Sequence, residues 1–387
     1  MRILLIYDCL YPNTVGGAEL WLRALADHLG REHEVVYVTR QQWNEPPLID
    51  EFQVVAVSRG ELYAPSGRRR LRSALAFGLG VFGHVVRRRG HYDVVHCLSY
   101  PYFAVPAVRL ALAGSGTPML VEWLECLSPA WWRAYAGRAG GALGRVLQGL
   151  CVRLTPAALV FSEHSAAQLR RAGFSGELHR LPGLYRGPGA APAGSERDAE
   201  LVLFAGRHTP DKRPLAAVEA LALARKRRPG LRGVIVGDGP ERPRVVARIA
   251  ELGLDEVVRA PGFVARADLE GLLRRAACVV APSLREGFGM AVVEAAAAGT
   301  PVVVCPAPDN AAVELVESGV NGELAGDTTP AAIAAALLEV IDAGPELRES
   351  SAAWFERNRE RLSMDESIRV VEGIYRDSSR TAATNAS

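Results

Sequence analysis

Lysine is almost absent from this 387-residue chain: Lys212 and Lys226 are the two lysines among 45 basic residues. This scarcity gives weight to a lysine that stands inside a motif. Hydrophobic runs long enough to cross a bilayer are also lacking, and the apolar part of the N-terminal segment MRILLIYD is too short for a signal peptide. These absences favour a cytoplasmic protein, with peripheral contact at the inner face of the membrane left open.

Paired cysteines and clustered metal ligands are lacking as well. The six cysteines form no CxxC and no paired spacing, which argues against a disulfide framework and favours reduced, buried thiols. No Asp-x-Asp pair occurs, and no His, Asp or Glu cluster has the spacing of metal ligands. The sequence therefore predicts no bound metal and no other cofactor.

The composition is that of a globular protein, with 49% hydrophobic and 23% charged residues. The formal charge of +2 hides an asymmetry, because residues 1–180 carry +6 and the remainder −4. A basic N-terminal half fits an acidic or membrane-associated partner. Solvated helix faces are the alternative.

Short apolar runs alternate with amphipathic segments along both halves of the chain, which predicts parallel sheets covered on both faces. The fold class is therefore α/β, with two Rossmann-like, doubly wound domains. We expect an N-terminal domain at 1–186, a Gly/Pro/Ala-rich linker at 187–198 and a C-terminal domain at 199–363. An amphipathic helix at 364–378 precedes a polar tail, 379–387, which we expect to be disordered.

The stretch REGFGMAVVEAAAAGTPVVV begins at Arg285 and places two glutamates around a glycine-rich turn. Glu286 lies in the turn after a buried strand, and Glu294 lies in the helix that follows. Helix N-terminal amides donate to anions, and carboxylates accept from hydroxyls. A nucleotide sugar matches this donor and acceptor set, while an ordinary N-terminal acid beside a solvent-facing glutamate is the alternative. The turn supplies Gly287, Phe288, Gly289 and Met290.

Two further segments suit a phosphate. In LVLFAGRHTPDKRP, Arg207 and Lys212 follow a strand end, where cations would favour a diphosphate; a solvated basic loop is the alternative. In TVGGAELW, Gly16 and Gly17 separate the first strand from a helix and would admit a phosphate or an acceptor close to the backbone.

Polar and aromatic residues also end two strands of the first half. His96 ends the run DVVH and is expected to face a ligand crevice, because ligands bind at the carboxyl ends of parallel strands. Glu122 ends PMLVEW in the same way. Tyr100 and Trp123 could line an acceptor pocket, although core packing would explain either of them equally well.

One glycine motif is a chance match. GLGVFG at 78–83 satisfies GxGxxG, but it follows a basic, helix-like segment rather than a strand, and no acidic residue stands about 20 positions further on. A buried helix with basic ends is expected there, and contact with an anionic membrane surface is the alternative.

Taken together, these residues resemble the retaining GT-B glycosyltransferases of the large family with an E-x7-E motif, glycosyltransferase family 4, which includes sucrose synthase and bacterial lipid mannosyltransferases. EGFGMAVVEAAAAGTPVV carries the most specific part of the resemblance. GGAEL, AGRHTPDK, VIVGDGPER, PGFV and ESGVNGEL follow the family's order and spacing. The resemblance implies two Rossmann-like domains that face each other across a cleft, with a last helix that crosses back to the N-terminal domain.

The resemblance also implies roles for the residues of the C-terminal half. Glu286 would hold the hydroxyls of the donor sugar with help from the backbone at Gly287–Gly289. Glu294 would bind the ribose, and Arg207 and Lys212 would bind the diphosphate.

For the remaining residues, Gly17 would approach the diphosphate, and His96 would contact the sugar at the reacting centre. The backbone of Gly262, Phe263 and Val264 would flank the base. The mechanism would retain anomeric configuration without metal, and the departing phosphate oxygen would receive the acceptor's proton. Catalytic roles would thus fall to His96, Glu286, Arg207 and Lys212.

The chain departs from the family at two places. LPGLYRGP replaces a common Pro-Asn-Gly-Val turn before the linker, and Glu122-Trp123 replaces a common His-Asp pair, which indicates an unusual acceptor pocket. We expect a hexose transferase that acts from a nucleoside-diphosphate sugar onto a bacterial glycan, lipid-linked or small-molecule acceptor, with no nucleic-acid partner. A sugar-nucleotide epimerase, a phosphorylase and a non-catalytic nucleotide-sugar-binding protein are the alternatives.

Overall fold

The computed structural model of the protein describes residues 1–63, 69–189 and 197–386. The chain divides into two compact units, Met1–Leu184 with Met364–Ser387, and Tyr185–Ser363. Each unit contains a parallel sheet flanked by helices, which confirms the predicted pair of doubly wound α/β domains. Of the linker expected at 187–198, residues 190–196 lie outside the described residues.

The N-terminal unit is built on a seven-stranded parallel sheet in the order β3-β2-β1-β4-β5-β6-β7. Six of these strands lie in apolar runs of the sequence: RILLIY, HEVVYVT, FQVVAV, YDVVHC, PMLVEW and AALVFS. The seventh, ELHR, escaped prediction because it is an edge strand of mixed polarity. The strands are β1 (Arg2–Ile6), β2 (Glu34–Arg40), β3 (Gln53–Ser58), β4 (Val94–Leu98), β5 (Met119–Glu122), β6 (Ala157–Val160) and β7 (Glu177–Arg180).

Within the described residues, six helices cover the two faces of this sheet: α1 (Gly17–Leu29), α2 (Leu71–Arg87), α3 (Ala104–Ala111), α4 (Pro129–Leu154, interrupted at Gly137), α5 (Glu163–Arg171) and α11 (Met364–Ala386). Helices α2 to α5 share a core with Val95 and Cys97 of β4. His96, the residue between them, contacts α11 instead. Since successive strand residues point to opposite faces, α11 and its neighbour α1 lie on the face opposite α2, α3 and α4.

The C-terminal unit has a six-stranded parallel sheet in the order β10-β9-β8-β11-β13-β15 and a two-stranded pair, β12-β14. Its strands are β8 (Leu201–Ala205), β9 (Arg232–Val236), β10 (Val258–Gly262), β11 (Cys278–Ala281), β12 (Arg285–Glu286), β13 (Val302–Val304), β14 (Asp309–Asn310) and β15 (Gly322–Leu324). Its helices are α6 (Pro214–Arg225), α7 (Arg242–Glu251), α8 (Arg266–Arg275), α9 (Met290–Ala297) and α10 (Pro330–Leu362, interrupted at Gly344), with a 3-10 turn at Ala311–Leu315.

Strand order reverses once in each main sheet. In the N-terminal unit the reversal lies between β1 and β4, and in the C-terminal unit it lies between β8 and β11. The loops that leave the carboxyl ends of two such strands diverge to opposite faces of the sheet and leave a crevice between them, where ligands of doubly wound proteins bind.

Two expectations from the sequence need correction. The tail at 379–387 was expected to be disordered, but α11 continues to Ala386, and the pairs Glu372–Arg376 and Asp377–Arg380 stabilise its surface at helical spacing. The segment 78–83 was expected to be a buried helix. It lies within α2, which buries one face and exposes the other.

Every cysteine is buried and unpaired, as predicted. Among the described helices, none combines the length and apolar character that crossing a membrane requires.

A glycine of α2 tests the packing of this helix. A Cβ added at Gly80 would lie 2.2 Å from the carbonyl oxygen of Val57 on β3, whereas a Cβ at Gly83 would meet only the flexible guanidinium end of Arg87 at 3.2 Å. Alanine favours a helix over glycine by roughly 1 kcal/mol. We therefore expect Gly83→Ala to leave the free energy of unfolding unchanged or raise it, and Gly80→Ala to lower it by about 1–3 kcal/mol.

Urea denaturation of the two variants measures this difference. Equal stabilities for Gly80→Ala and Gly83→Ala would contradict the close approach of α2 to β3.

Candidate active site

The carboxyl ends of five neighbouring strands meet at one edge of the C-terminal sheet. Strands β8, β9, β10, β11 and β13 run parallel, so the segments that follow them emerge on the same side. Most of the residues singled out in the C-terminal half lie in these segments. The loops after β8 and β11 flank the point where strand order reverses.

An ion pair joins these two loops. Lys212, after β8, places its Nζ 2.7 Å from Oε1 of Glu286, after β11. The same ammonium donates to the carbonyl oxygen of Arg285 at 3.2 Å, and the Ser283 hydroxyl donates to Glu286 Oε1 at 2.8 Å. Both charged side chains are about one-fifth exposed, at 18% and 22%. Two residues that are 74 positions apart, each predicted separately, thus form one polar site.

A second ion pair holds the same loops together. Arg285 lies 3.3 Å from Asp211, and the amide of Leu284 donates to the Asp211 carbonyl at 2.8 Å. Burial raises the pKa of Asp211, but the positive charges of Arg285 and Lys212 outweigh it and hold that pKa below its ordinary value. This ion pair and the backbone hydrogen bond join the loops that follow β8 and β11.

Helix α9 begins at this site. Its N-cap, Gly289, has φ +113°, and a Cβ there would lie 2.7 Å from Cβ of Ala312. Glycine is the residue that fits both the left-handed backbone and the close contact. The turn before it contains Gly287 and the buried Phe288, and Met290 is the first helical residue. The positive end of the α9 dipole is thus directed toward the turn that carries Glu286.

Glu294 belongs to a separate group of charges. It lies on α9 and pairs with Arg266 of α8 at 3.0 Å, and Arg266 also contacts Glu270 at 2.8 Å. Burial raises the pKa of Glu294, and the charge of Arg266 opposes that rise. Glu294 is therefore held by an arginine, whereas Glu286 is held by a lysine.

The other predicted donor-site residues of this unit range from the buried Gly262 to the largely exposed Phe263. Arg207 is exposed two residues after the end of β8, and Phe263, directly after β10, is 75% exposed. Gly262 has φ +88°, and its carbonyl accepts from the amide of Gly237 at 2.9 Å. Val264 is half-buried beside Phe263. An exposed aromatic ring at a strand end is suited to contact a planar ligand group.

His208 was missed by the sequence analysis. It follows Arg207 and is fully buried, and neither ring nitrogen has a hydrogen-bond partner within the described residues. Its backbone binds the loop after β9, through the carbonyl of Asp238 and the amide of Glu241. Burial lowers the pKa of His208. The sequence feature that indicates His208 is its position in AGRHTPDK, between Arg207 and Lys212.

The N-terminal unit contains a buried polar chain instead of an open crevice at His96. Nδ1 of His96 lies 2.5 Å from the Tyr375 hydroxyl, and its Nε2 lies 3.2 Å from Oε2 of Glu122. Trp21 of α1 donates to the same oxygen at 2.7 Å. All four side chains are 0% exposed.

These contacts correct three expectations. His96 was expected to face a crevice, but β4 continues to Leu98, so His96 lies inside the strand and under α11. Glu122 and Trp123 were expected to line an acceptor pocket. Both are 0% exposed, and the Trp123 indole donates to Thr155 at 3.2 Å. Tyr100 is half-buried, with its ring 4.5 Å from the Arg69 guanidinium.

The glycine loop of the N-terminal unit leads directly into α1. Gly16 is the N-cap, in extended conformation, and the Glu19 carboxylate lies against it. The Tyr7 hydroxyl donates to Glu19 at 3.3 Å. The position of a Cβ on Gly17 has no atom within 4 Å, so the backbone at Gly17 is open to a ligand.

One group of side chains in the described part of the chain has the geometry to hold a metal ion. It comprises Glu32, His33 and Glu372 in the N-terminal unit. Glu372 already pairs with His33 at 3.3 Å and with Arg376 at 2.5 Å. This group shares no residue with the Lys212–Glu286 site.

Two family models match consecutive parts of the chain. One, described as "Glycosyl transferase 4-like domain", matches residues 16–183, and the other, "Glycosyl transferases group 1", matches residues 191–361. A D-inositol 3-phosphate glycosyltransferase from Streptomyces scabiei is 29% identical over 94% of this chain and 87% of its own length. One from Streptomyces avermitilis is 32% identical over 74% and 66%. The match to a third, from Streptomyces griseus, is 34% identical but spans only 49% of this chain and 43% of that relative.

Solved structures share the architecture of both units. A sucrose-phosphate synthase from Thermosynechococcus elongatus has a TM-score of 0.80 at 19% identity, over 97% of this chain and 98% of its own. HepE of Anabaena, solved with UDP-glucose, has a TM-score of 0.71 at 19% identity, over 99% and 100%. The chain belongs to the GT-B glycosyltransferases. The predicted fold and enzyme class are thereby confirmed, and the family is confirmed as a GT-B glycosyltransferase of the family 4 type.

The burial of His208 predicts how the stability of this glycosyltransferase depends on pH. Unfolded histidine titrates near pH 6.5, and the folded pKa is lower. Below pH 6.5 the unfolded chain therefore binds a proton that the folded chain does not, so the free energy of unfolding falls as pH falls. The limit for one proton is about 1.4 kcal/mol per pH unit.

We expect His208→Gln to remove this contribution and flatten the decline in the free energy of unfolding between pH 7.5 and 5.5. Urea denaturation at several pH values measures it, with His91→Gln, in the N-terminal unit, as the control. Identical slopes for wild type and His208→Gln would contradict the assignment.

Proposed function

We propose that this GT-B glycosyltransferase transfers a hexose-type sugar from a nucleoside-diphosphate sugar to an acceptor hydroxyl, with retention of anomeric configuration and without metal. The Lys212–Glu286 pair carries the proposal, because it places a cation and a hydroxyl acceptor side by side at the reversal of strand order. The fold shared with HepE, a protein solved with UDP-glucose, supports a nucleotide-sugar donor.

The hydrogen-bonding capacity of Glu286 fits a sugar ligand. Lys212 and Ser283 both contact Oε1. Among the described contacts Oε2 takes none, so this oxygen can accept from a hydroxyl of the donor sugar. The ion pair keeps the carboxylate oriented.

The capacity of Lys212 fits a phosphate. Its ammonium has three donors, of which two are directed at Glu286 and at the carbonyl of Arg285. The third can donate to a phosphate oxygen. Arg207 and the N-terminus of α9 add positive potential at the same edge of the sheet.

The nucleoside part of the donor would use residues of α9 and of the strand end at β10. Glu294, oriented by Arg266, would accept from the ribose hydroxyls. Gly262, Phe263 and Val264 would flank the base through backbone contacts. In the N-terminal unit, Gly16 and Gly17 would admit a phosphate or an acceptor to the start of α1, where the backbone at Gly17 is open.

These residues support a substitution that takes place on one face of the sugar. The bond between the anomeric carbon and the phosphate oxygen breaks, and the acceptor oxygen forms its bond to that carbon on the same face. The acceptor's proton passes to the departing phosphate oxygen. Lys212, Arg207 and the α9 dipole would stabilise the negative charge that develops on the nucleoside diphosphate. No protein carboxylate needs to attack the sugar, and the buried His96 is assigned no contact with it.

The acceptor is proposed only by class. A hydroxyl of a bacterial glycan, a lipid-linked sugar or a small metabolite fits the chemistry. The relatives named as D-inositol 3-phosphate glycosyltransferases add a phosphorylated polyol as an acceptor to test.

Variants of the ion pair test the proposal. We expect Lys212→Ala and Glu286→Gln each to lower kcat by about 10²–10³-fold. This is the usual effect of losing one preorganised group that stabilises charge in the transition state. Lys226, the other lysine of the chain, is exposed at the end of α6. Lys226→Ala therefore serves as the matched control. Turnover is measured with EDTA present, and the anomeric configuration of the product is read by NMR.

Three results would contradict parts of the proposal. Wild-type turnover in both site variants would refute the assignment of Lys212 and Glu286. Loss of wild-type activity in EDTA that returns with added divalent metal would refute metal independence. An inverted product would refute front-face substitution while leaving the donor site in place.

A further inference from the structure

The outer face of α2 is apolar and exposed. Leu71, Leu75, Leu79, Phe82 and Val86 are between 41% and 65% exposed. Their spacing of four, four, three and four residues places them in one stripe along the helix. The opposite side of α2 packs into the core of the N-terminal unit. A helix that is apolar on both sides presents a second hydrophobic surface, which in water marks an interaction site.

The neighbouring helices extend this surface. Helix α2 packs against α3, and α3 packs against α4. Leu110 of α3 is 66% exposed, and α4 exposes Leu143, Val146 and Leu150 at a spacing of three and four residues. We call this set of nine side chains, five on α2, one on α3 and three on α4, the apolar face.

The helices that carry the apolar face contain only positive formal charge. Helices α2, α3 and α4 together contain seven arginines and no aspartate or glutamate. On the opposite face of the sheet, α1 and α11 contain six acidic residues. The basic excess of the N-terminal half is therefore concentrated on one side of the unit, together with the exposed leucines.

Three of these arginines surround an open groove on α4. Arg133, Arg138 and Arg145 line a volume of about 210 Å³, with Pro129, Gly141 and Ala142 completing the walls. None of the three arginines forms an ion pair within the described residues. Guanidinium groups bind phosphate through paired donors, so the groove fits a phosphate-bearing headgroup.

We infer that the apolar face docks onto an anionic lipid bilayer, with its leucine, valine and phenylalanine side chains in the interface and its arginines at the headgroup phosphates. Apolar side chains interleaved with arginine are typical of helices that lie in a membrane interface. The complete absence of acidic residues from α2, α3 and α4 fits a negatively charged surface. This inference goes beyond the proposed function and does not depend on the Lys212–Glu286 site.

Co-sedimentation of the full chain with lipid vesicles tests the inference. We expect binding to vesicles of phosphatidylcholine with phosphatidylglycerol, weaker binding as salt is raised, and little binding to phosphatidylcholine alone. The double variant Leu79→Glu, Phe82→Glu should weaken binding at least about tenfold, because it places two charges in the apolar face. Val246 is an exposed residue of α7 in the other unit, and Val246→Glu is the matched control.

A second pair of substitutions tests whether the arginines of α4 contribute to vesicle binding. Arg138→Gln with Arg145→Gln should reduce binding to the anionic vesicles, whereas Arg357→Gln, on α10, should not. Circular dichroism and the thermal shift with UDP report whether each variant is folded and keeps its donor site. If the double glutamate variant does not fold, the arginine pair decides the question.

Several results would overturn the inference. These are absence of wild-type binding, equal binding to both vesicle types, and unchanged binding in folded variants of both pairs. A dimer in solution that dissociates in Leu79→Glu, Phe82→Glu without any vesicle binding would assign the apolar face to self-association instead.

Discussion

The candidate site depends on the reversal of strand order between β8 and β11 in the C-terminal sheet. The two strands run parallel, so the loops that follow them leave the same edge of the sheet. Because strand order reverses between them, the two loops lead to opposite faces of the sheet. This arrangement brings Lys212 and Glu286 to 2.7 Å of each other across 74 residues of sequence. The Asp211–Arg285 pair and the amide of Leu284 hold the same two loops together. Four ionised side chains are thus positioned by the backbone of the sheet and by one another.

That network explains how charge can be stabilised at this place. Each of the two cations contacts a carboxylate, so the formal charges of these four side chains cancel. A phosphate would add negative charge beside Lys212, Arg207 and the N-terminus of α9, where the backbone dipole is already oriented. The protein groups need little rearrangement, which is the condition under which electrostatic stabilisation of a developing charge is most effective. The Lys212–Glu286 site contains no residue of α2, α3 or α4, the helices that form the basic, apolar side of the N-terminal unit.

Much of the architecture could be predicted from the sequence, because continuous apolar runs report strands that are buried on both faces. The glycine turn around Glu286 and the rare Lys212 also pointed to one edge of a sheet. Prediction failed where tertiary contacts decide the outcome. His96 looked like a strand end, but β4 runs two residues further and α11 covers the ring. Residues 379–386 looked disordered in composition, yet they extend a helix that packs on the sheet. No periodicity in the sequence indicates that His208 is buried, because its burial results from the packing of the loops after β8 and β9.

The central claim is that Lys212 and its neighbours bind the diphosphate of a nucleotide sugar without metal. Isothermal titration of UDP into the full chain in the presence of EDTA tests it most directly, with Lys212→Ala and Lys226→Ala alongside. The account predicts that wild type and Lys226→Ala bind UDP with the same Kd and that Lys212→Ala binds at least about tenfold more weakly, as expected for the loss of a hydrogen bond to a charged group. Equal UDP binding by Lys212→Ala and wild type, or binding that appears only when metal is added, would contradict it.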